Sequence, residues 1–302
     1  MIIDAHSHIG NILYPAGGKL IFRAGIPFPA SRCLERAYEK ALFRETAFLR
    51  MVNQAFPMLS VKCERRRNLA ATLQNFQESL RETGIVKCVC APVAPYNTFG
   101  DILAAQAADP RVIAFTSPDF SAVDMAEKLS EEMDAAAGLK IHPIIQEVEA
   151  DSRSVMEAVE VICAYAKPVL LHAGEARYYT KRERKNCFSG YASIDKIERL
   201  ISAFPGVNFI VGHAGLGEIA SVLDLLPQYK NAYVDTSFQP PEAIRALISA
   251  FGGDRVLFAS DWPYGLRWPA ILAVREACGA DAAMQRAILY ENAAALLGAC
   301  SV

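Results

Sequence analysis

No CxxC pair occurs among the eight cysteines, so neither a zinc ribbon nor a dithiol redox motif is supported. Cys88 and Cys90 stand two apart on an apolar run and read as thiols packed on one face of a strand; Cys187 falls in a polar loop and reads as exposed. This usage fits a reducing cytoplasm, the compartment expected for the chain. Long apolar runs are also lacking. Asp, Lys, Arg or Pro interrupts each of them well before the roughly 20 residues that a membrane span needs. The opening MIIDAHSHIG has neither the basic nor the apolar region of a secretory signal. No excess of one charge exists, with 31 basic against 33 acidic residues, so no overall field draws nucleic acid or an anionic membrane. Internal repeats and low-complexity tails are absent. What remains is a chain of 302 residues, 52% hydrophobic and 21% charged, as in a globular protein with a large core.

Histidine is scarce, and its placement is informative. The five are His6, His8, His142, His172 and His213, and each lies in or at the end of a short apolar run: IIDAHSHIG, GLKIHP, PVLLHAG and NFIVGHAG. A further run, RVLFASDWP, ends in Asp261. Repeated delivery of imidazole and carboxylate by strand ends points to one shared site, most simply a metal site.

Strand-like runs fall at 2–8, 86–92, 112–117, 138–142, 168–172, 207–213, 232–236 and 256–261. Most are continuously apolar, as parallel strands covered on both faces should be. Helical patterns fill the gaps at 69–82, 122–137, 154–166, 193–203, 216–226, 241–251, 269–278 and 282–297. Eight strands alternating with helices predict an α/β fold, a (β/α)8 TIM barrel forming one domain over 1–302. The first connection is too long for one βα unit. Residues 11–67 therefore read as a mainly helical insertion, with a Gly- and Pro-rich loop at 14–29 and a helix at 34–54. Loops after barrel strands lie at the C-terminal face, so the insertion is expected to cover the site. It suits a lid or a subunit contact, which leaves a homo-oligomer open.

His6 and His8 flank one residue on a strand, which puts their Cα atoms about 7 Å apart on one face. HxH also arises by chance or as packed polar residues. Asp4 falls on the same face and is expected to orient a ligand. His172 and His213 each precede Ala-Gly, a turn small enough for close backbone approach. A lone strand-end histidine is more often a hydrogen-bonded structural residue, but two in matching contexts are less easily dismissed. Asp261 ends a very apolar strand, where a carboxylate is costly unless paired, hydrogen-bonded or on a metal. A helix cap before Pro263 is the plainer alternative. Lys140, two residues before His142, needs a compensating anion if buried. An ion pair, a substrate contact and a carbamate bridging two metals all stay open for it.

The ordered set of HxH, Lys, His, His and Asp along eight strands resembles the amidohydrolase superfamily. The nearer likeness is to its amidohydrolase-related branch, which includes amino-carboxymuconate-semialdehyde decarboxylases, resorcylate decarboxylases, oxalomesaconate hydratases and lactone hydrolases. IIDAHSHIG, LKIHP, LLHAG, VGHAG, ASDWP and the closing YENAAALLG carry it from residue 2 to about 298 outside the insertion. The resemblance implies His6, His8, His172 and Asp261 as metal ligands, with Asp261 also the proton shuttle. It implies that His213 polarises substrate or solvent in a one-metal site. In a two-metal site His213 and a carboxylated Lys140 become ligands as well. One metal is the favoured reading, and zinc the favoured ion, because mixed imidazole and carboxylate ligands suit it.

The function expected is metal-dependent hydrolysis of a small amide, ester or lactone. A non-oxidative decarboxylase or hydratase of an aromatic or unsaturated acid is the alternative on the same site. A non-catalytic metal-binding barrel is the alternative of another class. Substrate contacts are expected from Arg177, His142 and Trp262, with Tyr264, Arg267 and Trp268 walling the pocket, although core packing suits Trp262 equally well. Arg177 suits a substrate carboxylate. Its basic neighbours Lys181, Arg182, Arg184 and Lys185 read as a solvated loop.

Overall fold

Eight short parallel strands surround a common axis in the computed structural model, which describes residues 1–29, 64–179, 183 and 188–298. They are β1 (Ile3–Ser7), β2 (Lys87–Cys90), β3 (Val112–Ala114), β4 (Leu139–Ile141), β5 (Val169–Leu171), β6 (Phe209–Val211), β7 (Ala232–Asp235) and β8 (Val256–Leu257). Regular pairing joins β1-β2-β3 and β4-β5-β6-β7-β8. Backbone hydrogen bonds close both gaps. Thr116 N–H donates to Gly138 O at 2.9 Å and Lys140 N–H to Thr116 O at 2.7 Å, while Ala5 N–H donates to Phe258 O and Asp261 N–H to His6 O, each at 2.9 Å. The barrel is the expected TIM barrel.

Each predicted strand encloses an observed one, and the predicted helices recur with shifted ends, the last of them divided into Ala282–Arg286, Ala287–Glu291 and Asn292–Leu296. A helix at Phe99–Ala108 was not expected; it opens with a reciprocal Thr98–Asp101 capping box. The segment 34–54, Cys187 and four of the loop cations lie outside the described residues.

Side chains alternate in and out along the strands, as the two-residue period requires. Ile3, Ala5, Val89, Phe115, Leu170, Ile210 and Leu257 form an inner cluster that Ala293 and Ala294 of the closing helix Asn292–Leu296 join. Cys88, Cys90, Leu139, Ile141, Val169, Leu171, Phe209 and Val211 face outward into the larger helix-covered core. On β4 and β5 this parity turns Lys140, His142 and His172 toward the mouth. No helix among the described residues is long and apolar enough to cross a membrane.

Candidate metal centre

The strand ends bring together the histidines and Asp261. Nε2 of His6, Nε2 of His8 and Oδ1 of Asp261 gather at one spot: Asp261 Oδ1 lies 3.5 Å from His6 and 3.3 Å from His8. The three residues form a buried group whose donor atoms lie within 4.8 Å of one another. His172 stands beside this group rather than within it.

Hydrogen-bond partners assign the tautomers. His8 Nδ1 donates to Ala91 O at 2.7 Å, and His6 Nδ1 donates to Asp235 Oδ2 at 2.8 Å. Both Nε2 atoms therefore carry lone pairs, and both face a carboxylate oxygen. A second chain leads to His172. The Ser237 hydroxyl donates to Asp235 Oδ1 at 2.5 Å and so accepts from His213 Nδ1 at 2.7 Å. His213 Nε2 is then an acceptor for His172 Nδ1 at 3.1 Å, which leaves His172 Nε2 as a lone pair. That atom and Asp261 Oδ1 are buried without a hydrogen-bond partner. Electron-rich atoms converging in this way repel one another unless a cation sits among them. The donor set fits a divalent ion held by imidazole and carboxylate.

Electrostatics agree. Burial, reinforced by the Lys140 charge, pushes His8 down to about 3 and His6 and His172 well below the usual imidazole range. They are neutral and ready to ligate. Burial pushes Asp261 well above the usual carboxylate range, although Lys140 opposes this. Lys140 itself falls to about 8 through burial, with Asp261 and Asp235 opposing. Its ammonium donates to His6 Nε2 at 2.8 Å, so the one lone pair already engaged is engaged by a cation.

A family model described as Amidohydrolase matches residues 3–299. The chain belongs to the amidohydrolase family. No curated protein matches it. Among solved structures it is similar to 5-carboxyvanillate decarboxylase from Novosphingobium aromaticivorans, complexed with manganese and 4-hydroxy-3-methoxy-5-nitrobenzoic acid (15% identity, TM-score 0.66, covering 99% of this chain and 96% of that one). It is similar to an amidohydrolase from Burkholderia multivorans with bound zinc (15%, 0.60, 99% and 99%). A probable 2-pyrone-4,6-dicarboxylic acid hydrolase from Acinetobacter baumannii with citric acid bound is a third (14%, 0.58, 98% and 99%). These likenesses are likenesses of fold. Membership of that family makes this chain an enzyme of the amidohydrolase superfamily.

Several expected residues of this amidohydrolase are placed differently by the structure. Asp4 does not share the inward face of His6 and His8. The β1–β2 register shifts between Asp4 and Ser7, so the parity of Asp4 and His6 is broken. Asp4 faces outward and accepts from Arg267 Nε at 3.1 Å and Ser260 N–H at 3.0 Å. It reaches His6 only at the backbone N–H, at 3.3 Å. Trp262 is not a pocket wall. It is 1% exposed, stacks on Phe28 at 5.6 Å and meets Phe76 at 5.5 Å, because the strand-end turn rotates it into the outer core. Arg267 stacks on it there, and Trp268 is exposed. Tyr264 does reach the mouth, with its ring 6.0 Å from that of His8. Arg177 is exposed. His142 is buried, stacked on His172 with ring centroids 4.0 Å apart and planes 9° from parallel. The two HAG turns pack on each other: a Cβ on Gly174 would stand 2.0 Å from Gly215 O.

Asp235 and Ser237 were missed. Asp235 holds His6 through one oxygen and, through the other, accepts from His213 N–H at 2.9 Å. That bond helps hold the left-handed backbone of His213 and Ala214, at φ 57° and 41°. The available signal was the strand AYVD, which ends in a carboxylate as the apolar run 256–261 does.

Proposed function

We propose that this amidohydrolase is a metal-dependent hydrolase of a small amide, ester or lactone, with one divalent cation held by His6, His8, His172 and Asp261. The observation that supports it most strongly is the convergence of unprotonated imidazole nitrogens on a carboxylate oxygen lacking a hydrogen bond. A cation bound there supplies Lewis acidity and lowers the pKa of a water from 15.7 to about 7. Zinc suits the ligands, and solved relatives with zinc and manganese support a first-row ion.

Asp261 takes the proton of the attacking water and returns it to the leaving group. Its raised proton affinity suits that exchange, and its backbone is fixed by the N–H to His6 O and by carbonyl bonds from Tyr264 and Gly265. His213 has both ring nitrogens engaged, by His172 and Ser237. We therefore assign it to orienting His172 rather than to polarising a substrate oxygen. The same engagement favours one metal over two and leaves Lys140 an amine rather than a bridging carbamate. Arg177 remains the proposed contact for a substrate carboxylate, a class supported by the carboxylated ligands of the solved relatives, and His142 remains a proposed substrate contact.

Solved relatives that decarboxylate hydroxylated aromatic acids favour a second reading on the same residues. There Asp261 delivers a proton to the carbon that loses carbon dioxide. Purified protein stripped with chelator and reloaded with zinc or manganese, then offered lactones, N-acyl compounds, esters and hydroxybenzoates, decides between them. Acid release from the first three supports hydrolysis, and carbon dioxide from the last supports the second reading. Failure to bind either metal overturns both.

A further inference from the structure

Asp235 closes β7 and is fully buried. Its two oxygens start two routes toward the converging histidines. The short route is direct: Oδ2 accepts the Nδ1 proton of His6 at 2.8 Å. The long route begins at Oδ1, which accepts from Ser237 Oγ at 2.5 Å, Ser237 N–H at 3.0 Å and His213 N–H at 2.9 Å. It continues from Ser237 Oγ to His213 Nδ1 at 2.7 Å, and from His213 Nε2 to His172 Nδ1 at 3.1 Å. The rings of His6 and His213 stack at 4.9 Å, so the two routes run side by side. Gly212 permits that approach, since a Cβ there would stand 2.9 Å from Leu171 O and 3.4 Å from His6 Cε1.

An ionised carboxylate only accepts. The order of protons along both routes therefore has one solution, with His6, His213 and His172 each protonated on Nδ1. Run the bonds the other way, and Nε2 of His6 and of His172 both become N–H, which cannot bind a cation. An engaged ring N–H also fixes the ring plane and makes the opposite nitrogen a better ligand. Asp235 could serve as a ligand itself, because its donor atom lies within 4.8 Å of donor atoms on His6 and His213. Hydrogen-bond closure argues against that role. The His6 nitrogen beside Asp235 already gives it a proton, and both His213 nitrogens are engaged.

We infer that Asp235 is a positioning residue that sets the cation-binding proton arrangement of two ligands at once, His6 directly and His172 through Ser237 and His213. The cation rests on the metal-dependent reading above; the proton order does not.

Two variants of the full-length protein separate the routes. In Asp235→Asn the three donors at Oδ1 keep the amide oxygen in place, so the amide nitrogen faces His6 Nδ1, donor against donor. Ser237→Ala spares the His6 bond and cuts the long route. Nitrogen-15 spectra of the metal-free wild type should show His6 and His172 protonated on Nδ1. Asp235→Asn should displace the His6 signals and spare those of His172, and Ser237→Ala should do the opposite. Each variant should weaken zinc binding roughly 10- to 100-fold. Unaltered His6 signals in Asp235→Asn, unaltered His172 signals in Ser237→Ala, or wild-type zinc affinity in both variants overturns the inference. Displacement of both histidines in either variant shows general loosening and overturns it too. Two zinc ions per wild-type chain and one in Asp235→Asn would make Asp235 a ligand, with the same consequence. A wild-type protein that binds no zinc overturns the metal reading instead, and the histidine spectra still judge Asp235.

Discussion

Two buried polar clusters lie on opposite faces of β1, and they are built on opposite principles. The outer one is closed. Asp4 accepts from Ser260 N–H and Oγ, from Arg267 Nε and from His6 N–H. Arg267 also donates to Ser79 and Ser7, and its guanidinium lies over the rings of Phe76 at 4.8 Å and Trp262 at 4.9 Å. The inner cluster is open: the His6 lone pair is met only by the Lys140 ammonium, while lone pairs of His8 and His172 and a carboxylate oxygen of Asp261 face the mouth. A buried polar group costs free energy unless it is satisfied. The outer cluster satisfies itself and ties the start of β1 to the turn after β8. The inner one is left for something from outside to satisfy. Burial alone therefore does not separate scaffold from site in this barrel; hydrogen-bond closure does.

The sharpest way to break the contrast is to remove one partner from each cluster. Asp261→Asn should lower kcat on any turned-over substrate by roughly 10²- to 10⁴-fold, the scale of lost general acid–base catalysis. Its melting temperature in the metal-free state should hold or rise, because a buried carboxylate lacking a hydrogen bond has gone. Retained turnover would remove Asp261 from the chemistry. Arg267→Ala should do the reverse. It leaves Asp4 buried without its counter-ion, which costs about 3–5 kcal/mol in denaturant unfolding. A variant that keeps its stability but loses metal would show that the outer cluster belongs to the site.

How much of this was legible beforehand follows from the same physics. The eight strands were readable because each is a short, nearly unbroken apolar run that the barrel buries on both faces. The inward set on β4 and β5 was readable because parity holds there. It failed on β1, where the register shift between Asp4 and Ser7 puts Asp4 on the outer face, and no pattern in IIDAHSHIG announces that shift. Trp262 failed for a related reason, since it follows the strand end in a turn where alternation no longer applies. Asp235 carried the same signal as Asp261 and was overlooked. The helix Phe99–Ala108 was overlooked because FGDILAAQAA is rich in small residues and lacks a clear apolar stripe, although its capping pair was visible.

Lys140 offers a smaller and more specific distinction. Its folded-state pKa is pushed down to about 8 from an ordinary 10.5. Between those values the unfolded chain binds more proton than the folded one, so metal-free protein should gain stability as pH rises from 8 to 10.5. The gain is on the order of 3 kcal/mol for a fully buried group. Lys140→Met should flatten that slope and raise stability at neutral pH. An unchanged slope in urea unfolding across this range would place the cost of the inner cluster elsewhere.

The smallest effect should come from a pair outside both clusters. Asp109 accepts from Arg111 Nη2 at 2.7 Å and from Arg111 Nε at 3.0 Å, in the turn leading into β3. The Arg111 hydrogen bonds hold its carboxyl below the ordinary 3.8, against the opposing effect of burial. The sign is therefore opposite to that of Lys140. The contribution is fully present above pH 3.8 and is lost as pH falls through the lower folded-state value. Arg111 remains 30% exposed, so solvent screens the pair and the loss should stay below about 1 kcal/mol. Asp109→Asn should shave this amount from the neutral-pH stability while leaving metal affinity and the alkaline slope of Lys140 untouched. If it shifted the alkaline slope instead, the inner cluster would extend well beyond the strand ends, and closure would no longer mark where the site stops.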